Sequence, residues 1–479
     1  MSARPASAQV ARQSGLARLA LHCCAWSERC FPDAWVFSVT LVAVVAVAAV
    51  AIGAEPAAVV RQFGSGFWSL IPFTMQMTLV ILAGYVTADS PPVARLTSWL
   101  AARPRTGRGA VVMVALVCVA LSLLHWGLSM IFGSLLVRGL AVRQDLRMDY
   151  RAAGAACVLG CGSVWAMGIS SSAAQLQANP ESMPPSLLAI TGVIPFSETI
   201  FLWQSFALTA VLAAVTVWVA WKSAPDDHQA VTAAALGVDA ASTQHTLPPR
   251  SRPGEWLEYS PVLTLVLVTL GGAWLWQEFA TKGAVLAISN LNTYNLLFLT
   301  LALLLQWRPR RFLAAVARGV PSVGGVLVQF PLYGAISAIL TGAVGDSGAT
   351  LSKLLTGLFT QVTSRDTYAL VVGAYSAILG FFLPSGGGKW LVEAPYVMQL
   401  ARDLEYPLGW AVQVYNAAEA LPNLINPFWM LPVLGILGLK ARDLIGYTFV
   451  QFLIHVPVVL LLLWWLGSTV AYHTSAAPG

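Results

Sequence analysis

Runs of about 20 apolar residues recur along this chain, and a run of that length is what a helix needs to cross the hydrocarbon core of a bilayer. Uninterrupted candidates cover 33–53, 67–88, 197–221, 259–277, 290–306, 320–343 and 444–467. Two more, 152–178 and 408–438, are long enough to cross but are broken inside by glycine, proline and polar residues. Another two, 109–140 and 366–401, carry a polar or glycine cluster at their middle and read as re-entrant hairpins. The expected fold is an all-α polytopic membrane protein with nine crossings and two hairpins. Composition agrees. Only 10% of the 479 residues are charged, against about 25% in a soluble domain, too few to coat a soluble surface of this size.

Cytoplasmic loops of membrane proteins carry an excess of Lys and Arg. With the N-terminus inside, 21 of the 27 basic residues fall on the cytoplasmic side; the other six are Arg61, Lys282, Lys353, Arg365, Lys389 and Arg402. The first 30 residues carry arginines without a short apolar core and cleavage site, so they read as an interfacial amphipathic helix rather than a signal peptide. Residues 223–258, with Pro225, Pro248, Pro249, Pro253 and Gly254, read as a flexible cytoplasmic linker. It separates a first repeat, 31–222, from a connector helix and loop, 259–288, a second repeat, 289–467, and a tail, 468–479.

The two halves resemble each other in the order of their parts. Run 33–53 matches 290–306, Gln76 matches Gln329, His125-Trp126-Gly127 matches Pro384-Ser385-Gly386, 152–178 matches 408–438, and 197–221 matches 444–467. An odd number of crossings between matching parts inverts the second repeat. Inverted repeats with paired interrupted segments point to a secondary transporter whose site lies near the bilayer midplane.

The segments that carry chemistry are the interruptions. Pro384-Ser385-Gly386-Gly387-Gly388-Lys389 cannot sit inside a regular helix, since each glycine costs about 1 kcal/mol against alanine there. Irregular backbone at membrane depth is tolerated only inside protein or lining a cavity, and a helix that starts at the tip offers free N–H groups to an anion. The second break holds Asn416, Glu419, Pro422, Asn423, Asn426, Pro427, Phe428 and Trp429. In the first half, His125, Trp126, Gly127 and Ser129 form one tip, and Gly168, Ser170, Ser171, Ser172 and Gln175 lie in the broken crossing. The candidate substrate residues are therefore Trp126, Gly127, Ser170, Ser171, Ser172, Ser385, Gly386, Gly387, Gly388, Asn423 and Asn426.

Glu419 and His125 are the candidates for coupling to Na+ or H+. Each has a plainer role available, as a paired carboxyl and as a packed histidine. Lys389 could meet a substrate carboxylate, pair with Glu393 four residues on, or snorkel. The last two together rank above the first. The six cysteines show no CxxC, so neither a metal nor a redox centre is expected. No HExxH, GxSxG or complete phosphate-binding loop occurs, so no enzyme activity, cofactor or nucleic-acid partner is expected.

At these residues the chain resembles the short-chain fatty acid transporter family, within the wider superfamily of inverted-repeat ion transporters. The resemblance runs from about Phe31 to Gly467. Its marks are Phe67-Trp68 with Phe73-x-Met75-Gln76-Met77, Trp126-Gly127, Leu327-Val328-Gln329-Phe330-Pro331, Pro384-Ser385-Gly386-Gly387-Gly388 with Trp390, and Glu419-x3-Asn423-x2-Asn426-Pro427-Phe428-Trp429. It implies uptake of short-chain monocarboxylates such as acetoacetate or butyrate across a bacterial inner membrane, by a homodimer with elevator-like motion. The chain departs from the family at His125, where Asn is usual, across Trp165-Ala166-Met167-Gly168, where glycines are usual, and at Lys389, often His. Alternatives are a carrier of dicarboxylates or other organic anions, a channel, or a membrane-embedded enzyme. Duplicated breaks favour a carrier, because an enzyme needs only one polar cluster.

The charge bias makes a direct prediction. Reporter fusions at residue 240 and after residue 470 should land on opposite sides of the membrane, the first cytoplasmic. Both on one side would remove the nine-crossing topology.

Overall fold

The computed structural model describes residues 34–69, 71–143, 145–178, 185–240, 247–384 and 386–472, with 15, 16, 18, 19 and 180. The expected interfacial helix in 1–30 therefore lies almost wholly outside the described residues. Those residues are helical throughout, apart from turns and one isolated bridge between Val344 and Thr350. The helices are α1 (Ala34–Ala51), α2 (Pro56–Ser69), α3 (Ile71–Ala88), α4 (Pro91–Ala101), α5 (Gly107–Ser122), α6 (Trp126–Ala141), α7 (Tyr150–Ser163), α8 (Ser172–Ala178) and α9 (Trp203–Ser223). After them come α10 (Val262–Lys282), α11 (Leu291–Gln306), α12 (Pro309–Gly319), α13 (Gly324–Gly342), α14 (Leu351–Thr360), α15 (Tyr368–Phe382), α16 (Gly386–Asp403), α17 (Leu408–Ala420), α18 (Leu431–Leu437) and α19 (Ala441–Gly467). Among the described residues six helical stretches are long and apolar enough to cross a membrane. A seventh is the pair 408–424 and 427–437, bent by 74°.

The element order repeats. Pro56 starts α2 and Pro309 starts α12, as Gln76 in α3 answers Gln329 in α13; both pairs are 253 positions apart. Helix α4 answers α14, the hairpin α5–α6 answers α15–α16, the broken α7–α8 answers α17–α18, and α9 answers α19. Tertiary bonds define two ends of the molecule. At one, Arg143 donates to the carbonyls of Ala101 and Pro104, Arg108 to that of Ala224, and the Tyr150 hydroxyl to that of Leu437. At the other, Arg402 donates to the Ile190 carbonyl and Gln204 to the Thr469 hydroxyl. Broken helix α7–α8 therefore starts at the first end, whereas α17–α18 finishes there. The repeats are inverted.

Two groups of helices pack side by side. One contains α1, α2, α3, α10, α11 and α13; the other contains both hairpins, both broken helices, α9 and α19. They meet mainly where α3 lies along α6. Inside the first group α2 and α13 approach to backbone contact: a Cβ at Gly66 would lie 2.4 Å from the Ala338 Cβ and 2.6 Å from the Gly334 carbonyl oxygen. Membrane helices gain little from burying apolar surface against each other, so small residues that let backbones touch supply the packing.

Several boundaries differ from the sequence reading. The second crossing starts at Pro56 rather than 67, because Arg61, Gln62, Gly64 and Gly66 dilute the apolar signal of a helix that is nonetheless continuous with α3 in direction. Helices α4, α12 and α14 have one apolar face each, too short a pattern for a crossing. The linker is not free along its length. Val231 donates to the Asp149 carboxylate, Arg138 to the Asp239 carbonyl, and Ala230, Ala233 and Ala240 are buried.

Gly66→Leu should separate α2 from α13, at a cost of about 1–3 kcal/mol or more for an overpacked contact. A lower melting temperature in fluorescence-detected size-exclusion chromatography is the expected outcome. An unchanged one would contradict the close crossing.

Candidate functional site

Both breaks follow from local sequence. Pro422 and Pro427 lack N–H groups, so 421–424 and 427–430 form short 3-10 turns in place of α-helix. The Asn426 side chain caps the second turn, accepting from the Phe428 N–H at 3.0 Å, while its Nδ2 donates to the Phe381 carbonyl at 3.0 Å in the arm of the second hairpin. In the first repeat α7 ends at Ser163, 165–167 form a 3-10 turn, and α8 resumes at Ser172. There Ser170 Oγ accepts from the Trp126 N–H at 3.1 Å and the Ser170 N–H donates to the Leu123 carbonyl. The tip of the first hairpin and the arm of the second are thus each bonded to the break of their own repeat.

The two halves are joined across the same place. Ser171 Oγ donates to Asn416 Oδ1 at 3.0 Å, Asn416 Nδ2 to Gln413 Oε1 at 2.6 Å, and Gln413 Nε2 to Ser205 Oγ at 2.8 Å. Asn423 Nδ2 reaches the Cys161 carbonyl of α7 at 3.1 Å. Gly386 lies flat on Trp165, where a Cβ would come within 2.6 Å of the ring, and Gly387 faces Ser172. The rings of Trp126 and Trp165 flank that of Trp429 at 5.4 and 6.4 Å. Phe428 stacks on Phe330 at 4.8 Å.

Most of the residues expected at the site therefore converge: Trp126, Ser170, Ser171, Ser172, Gly386, Gly387, Asn423 and Asn426. Gly127 is the second residue of α6 and lies against Val80 of α3. Ser385 lies outside the described residues. Asn426, Ser170 and Ser171 spend their polar atoms on the framework, which the sequence could not reveal. His125 is set apart from this cluster. It caps α6 by accepting from the Leu128 N–H, and its ring packs between Tyr294 and Phe298 at 4.6 and 4.1 Å.

Lys389 is buried rather than snorkelling. It pairs with Glu393 at 2.9 Å, with Glu419 at 2.8 Å, and donates to Ser376 Oγ at 2.7 Å. Buried polar atoms left over at the junction are the indole N–H groups of Trp165 and Trp429 and Asn423 Oδ1. Trp429 was expected as an apolar group rather than a donor, and Trp165, Ser376, Tyr415 and Gln413 were not expected at the site from the sequence. Their signal is weak, because membrane tryptophans, tyrosines and serines mostly pack or sit at interfaces. Among the described residues no group of three or more His, Cys, Asp or Glu is arranged to hold a metal ion.

The profile of the family described as short chain fatty acid transporter matches residues 15–466. The chain belongs to that family. It is a family of transporters, not of enzymes. A candidate short-chain fatty acid transporter of Escherichia coli K12 is 32% identical over 422 residues, covering 88% of this chain and 93% of its own. Another such candidate, from Haemophilus influenzae, is 28% identical over 442 residues, covering 91% and 96%. Among solved structures, the Alcanivorax borkumensis YdaH transporter aligns with a TM-score of 0.45 at 16% identity, over 91% of this chain and 98% of that one. Neisseria gonorrhoeae MtrF, of a class of antimetabolite efflux pumps, aligns with a TM-score of 0.49 at 13% identity, over 96% and 100%.

Asn426→Ala would remove the bond to the Phe381 carbonyl and leave the buried Phe428 N–H without its capping acceptor. A buried polar group left unsatisfied costs about 1–3 kcal/mol. The variant should unfold at lower temperature than the parent in a thermal-shift assay. Equal melting temperatures would show that this tie is dispensable.

Proposed function

We propose that this protein is a secondary carrier of short-chain monocarboxylates, such as butyrate or acetoacetate, in the bacterial inner membrane, with its N-terminus cytoplasmic. The observation that carries this reading is the convergence of both hairpin tips and both helix breaks on one buried polar junction. The hairpins are re-entrant in this reading, since the first one's tip and the second one's arm are each bonded to the middle of a broken crossing rather than to a loop. A carboxylate would lie between the start of α16 at Gly386–Gly388 and the 170–172 stretch, with the Trp165 and Trp429 N–H groups turned to it and the acyl chain against Trp126 and Phe428. Neutral donors hold one negative charge weakly enough to release it.

The dicarboxylate alternative is less well supported. Lys389 is the cation nearest the junction, and its N–H groups are already engaged by Glu393, Glu419 and Ser376. A second substrate carboxylate would find no cation there among the described residues.

Ion coupling through Glu419 and elevator-like motion complete the proposal. The helix group that holds both hairpins would move as a unit against the group containing α1, α3, α10 and α13. Two such chains would form the working dimer through the outward apolar faces of the stationary group, among them α10, where Leu267, Leu270 and Trp276 are exposed.

Counterflow in proteoliposomes tests this reading. Labelled butyrate or acetoacetate should exchange with internal unlabelled acid, and succinate should compete poorly. Trp165→Phe should raise the half-saturation concentration about tenfold, the loss expected for a hydrogen bond to a charged group. Exchange of succinate as fast as of butyrate would overturn the monocarboxylate assignment.

A further inference from the structure

The cluster around Lys389 has a charge count that the substrate junction does not explain. Lys389 stands in the first turn of α16, Glu393 one turn further along, Ser376 on α15 and Glu419 near the end of α17. Lys389, Glu393 and Glu419 are each at most 1% exposed. An ammonium has three N–H donors. Here three oxygens surround it, from Glu393 at 2.9 Å, Glu419 at 2.8 Å and Ser376 at 2.7 Å, and the Nζ lies over the Tyr415 ring at 4.1 Å. Two carboxylates, a hydroxyl and an aromatic face would suit a bare alkali cation as well. The lysine already stands in that place.

One ammonium against two carboxylates leaves one negative charge, and an uncompensated charge cannot be buried cheaply. The two carboxylates are not equivalent. Glu393 has both Lys389 and Ser376 beside it. Glu419 has Lys389 alone; the oxygens of both carboxylates are otherwise buried without a hydrogen-bond partner among the described residues. The Glu419 Oε2 lies where only a glycine fits opposite, since a Cβ at Gly380 of α15 would come within 2.7 Å. The other titratable groups facing the pair are Tyr368 and Tyr375 from α15, Tyr396 from α16, Tyr415 from α17 and Cys161 from α7. None of them supplies a second positive charge.

We propose that this cluster is a proton-binding site: Lys389 fills the place of a coupling metal cation, and Glu419 takes up and releases one proton in each transport cycle. It rests on the carrier reading given above and names the coupling ion. The step forms one O–H bond on the Glu419 carboxylate with a proton from water on one side, and breaks it to water on the other. Loaded, the cluster is neutral and the substrate carries one negative charge. Empty, the cluster carries that charge alone. Both legs of the cycle therefore move the same charge, and net transport is electroneutral.

Three measurements on purified full-length protein test this. In proteoliposomes an inward proton gradient should concentrate labelled butyrate, and a sodium gradient or an imposed membrane potential should not. Glu419→Gln should reduce accumulation to the equilibrium level while counterflow stays measurable. Accumulation driven by sodium alone, or a variant that accumulates like the parent, would overturn the proposal.

Infrared difference spectra between acid and alkaline buffer should show a protonated-carboxyl band in the parent that Glu419→Gln lacks. The absence of that band in the parent would overturn proton binding even if no acid is transported. Loss of all counterflow in the parent, with the band present, would instead refute the carrier reading and leave the proton site standing. Finally, sodium chloride in place of choline chloride should leave the parent's melting temperature unchanged but raise that of Lys389→Ala, whose vacated oxygens would accept the ion. Equal stabilisation of the parent by sodium would show that the lysine does not fill the cation's place.

Discussion

Hydrocarbon offers backbone N–H and C=O groups no partner, so each interruption of a membrane helix must be satisfied by the protein itself. This chain has two broken helices and two hairpin tips, and the structure satisfies them against one another. Ser170 bonds the first tip to the first break, Asn426 bonds the second arm to the second break, and Asn423 spans from the second break to α7. Removing any one interruption would strand the partners of another. The polar junction is therefore a structural necessity first, and the proposed solute would use the atoms left over after that accounting.

The same low polarity governs Lys389. A cation buried between Glu393 and Glu419 attracts both strongly, yet desolvation of the three groups opposes the gain. Such a cluster is weak evidence for added stability and better evidence for a charge that must be able to change. Its position fits that role: α16 begins at the tip that rests on Trp165, and α17 carries both Glu419 and the Asn416 that reaches Ser171. The polar junction and the charged cluster share these two helices, α16 and α17.

Inversion of the repeats gives the molecule two halves of like architecture but unlike chemistry. The first half contributes serines, Trp165 and a capping histidine; the second contributes asparagines, Glu419 and the lysine. A solute at the junction would meet hydroxyls and an indole from one side, and amides and an indole from the other. The first group of helices, with its glycine-tight contact between α2 and α13, supplies a face along which α6 lies.

The sequence by itself determined that the chain is helical and membrane-spanning, that its halves repeat, and where the helices break. Apolar length, proline and glycine are local signals, and hydrocarbon leaves the backbone few alternatives. Family membership was legible for the same reason: Pro384 to Trp390 and Glu419 to Trp429 are contiguous motifs. Helix α2 was missed because Gly66 and Gln62 serve a neighbour, α13, that lies hundreds of residues away in the chain. Only the tertiary structure decided which polar side chains belong to the framework and which remain unpaired. Asn423 and Asn426 look alike in sequence, yet Asn426 is saturated by Phe381 and Phe428 while Asn423 keeps a buried oxygen unpartnered. Likewise, i,i+4 spacing allowed the pairing of Lys389 with Glu393, but Glu419 joins it from another helix. A hydrogen bond or ion pair depends on distances of a few ångströms between remote segments, and these exist only once the two inverted halves have packed together.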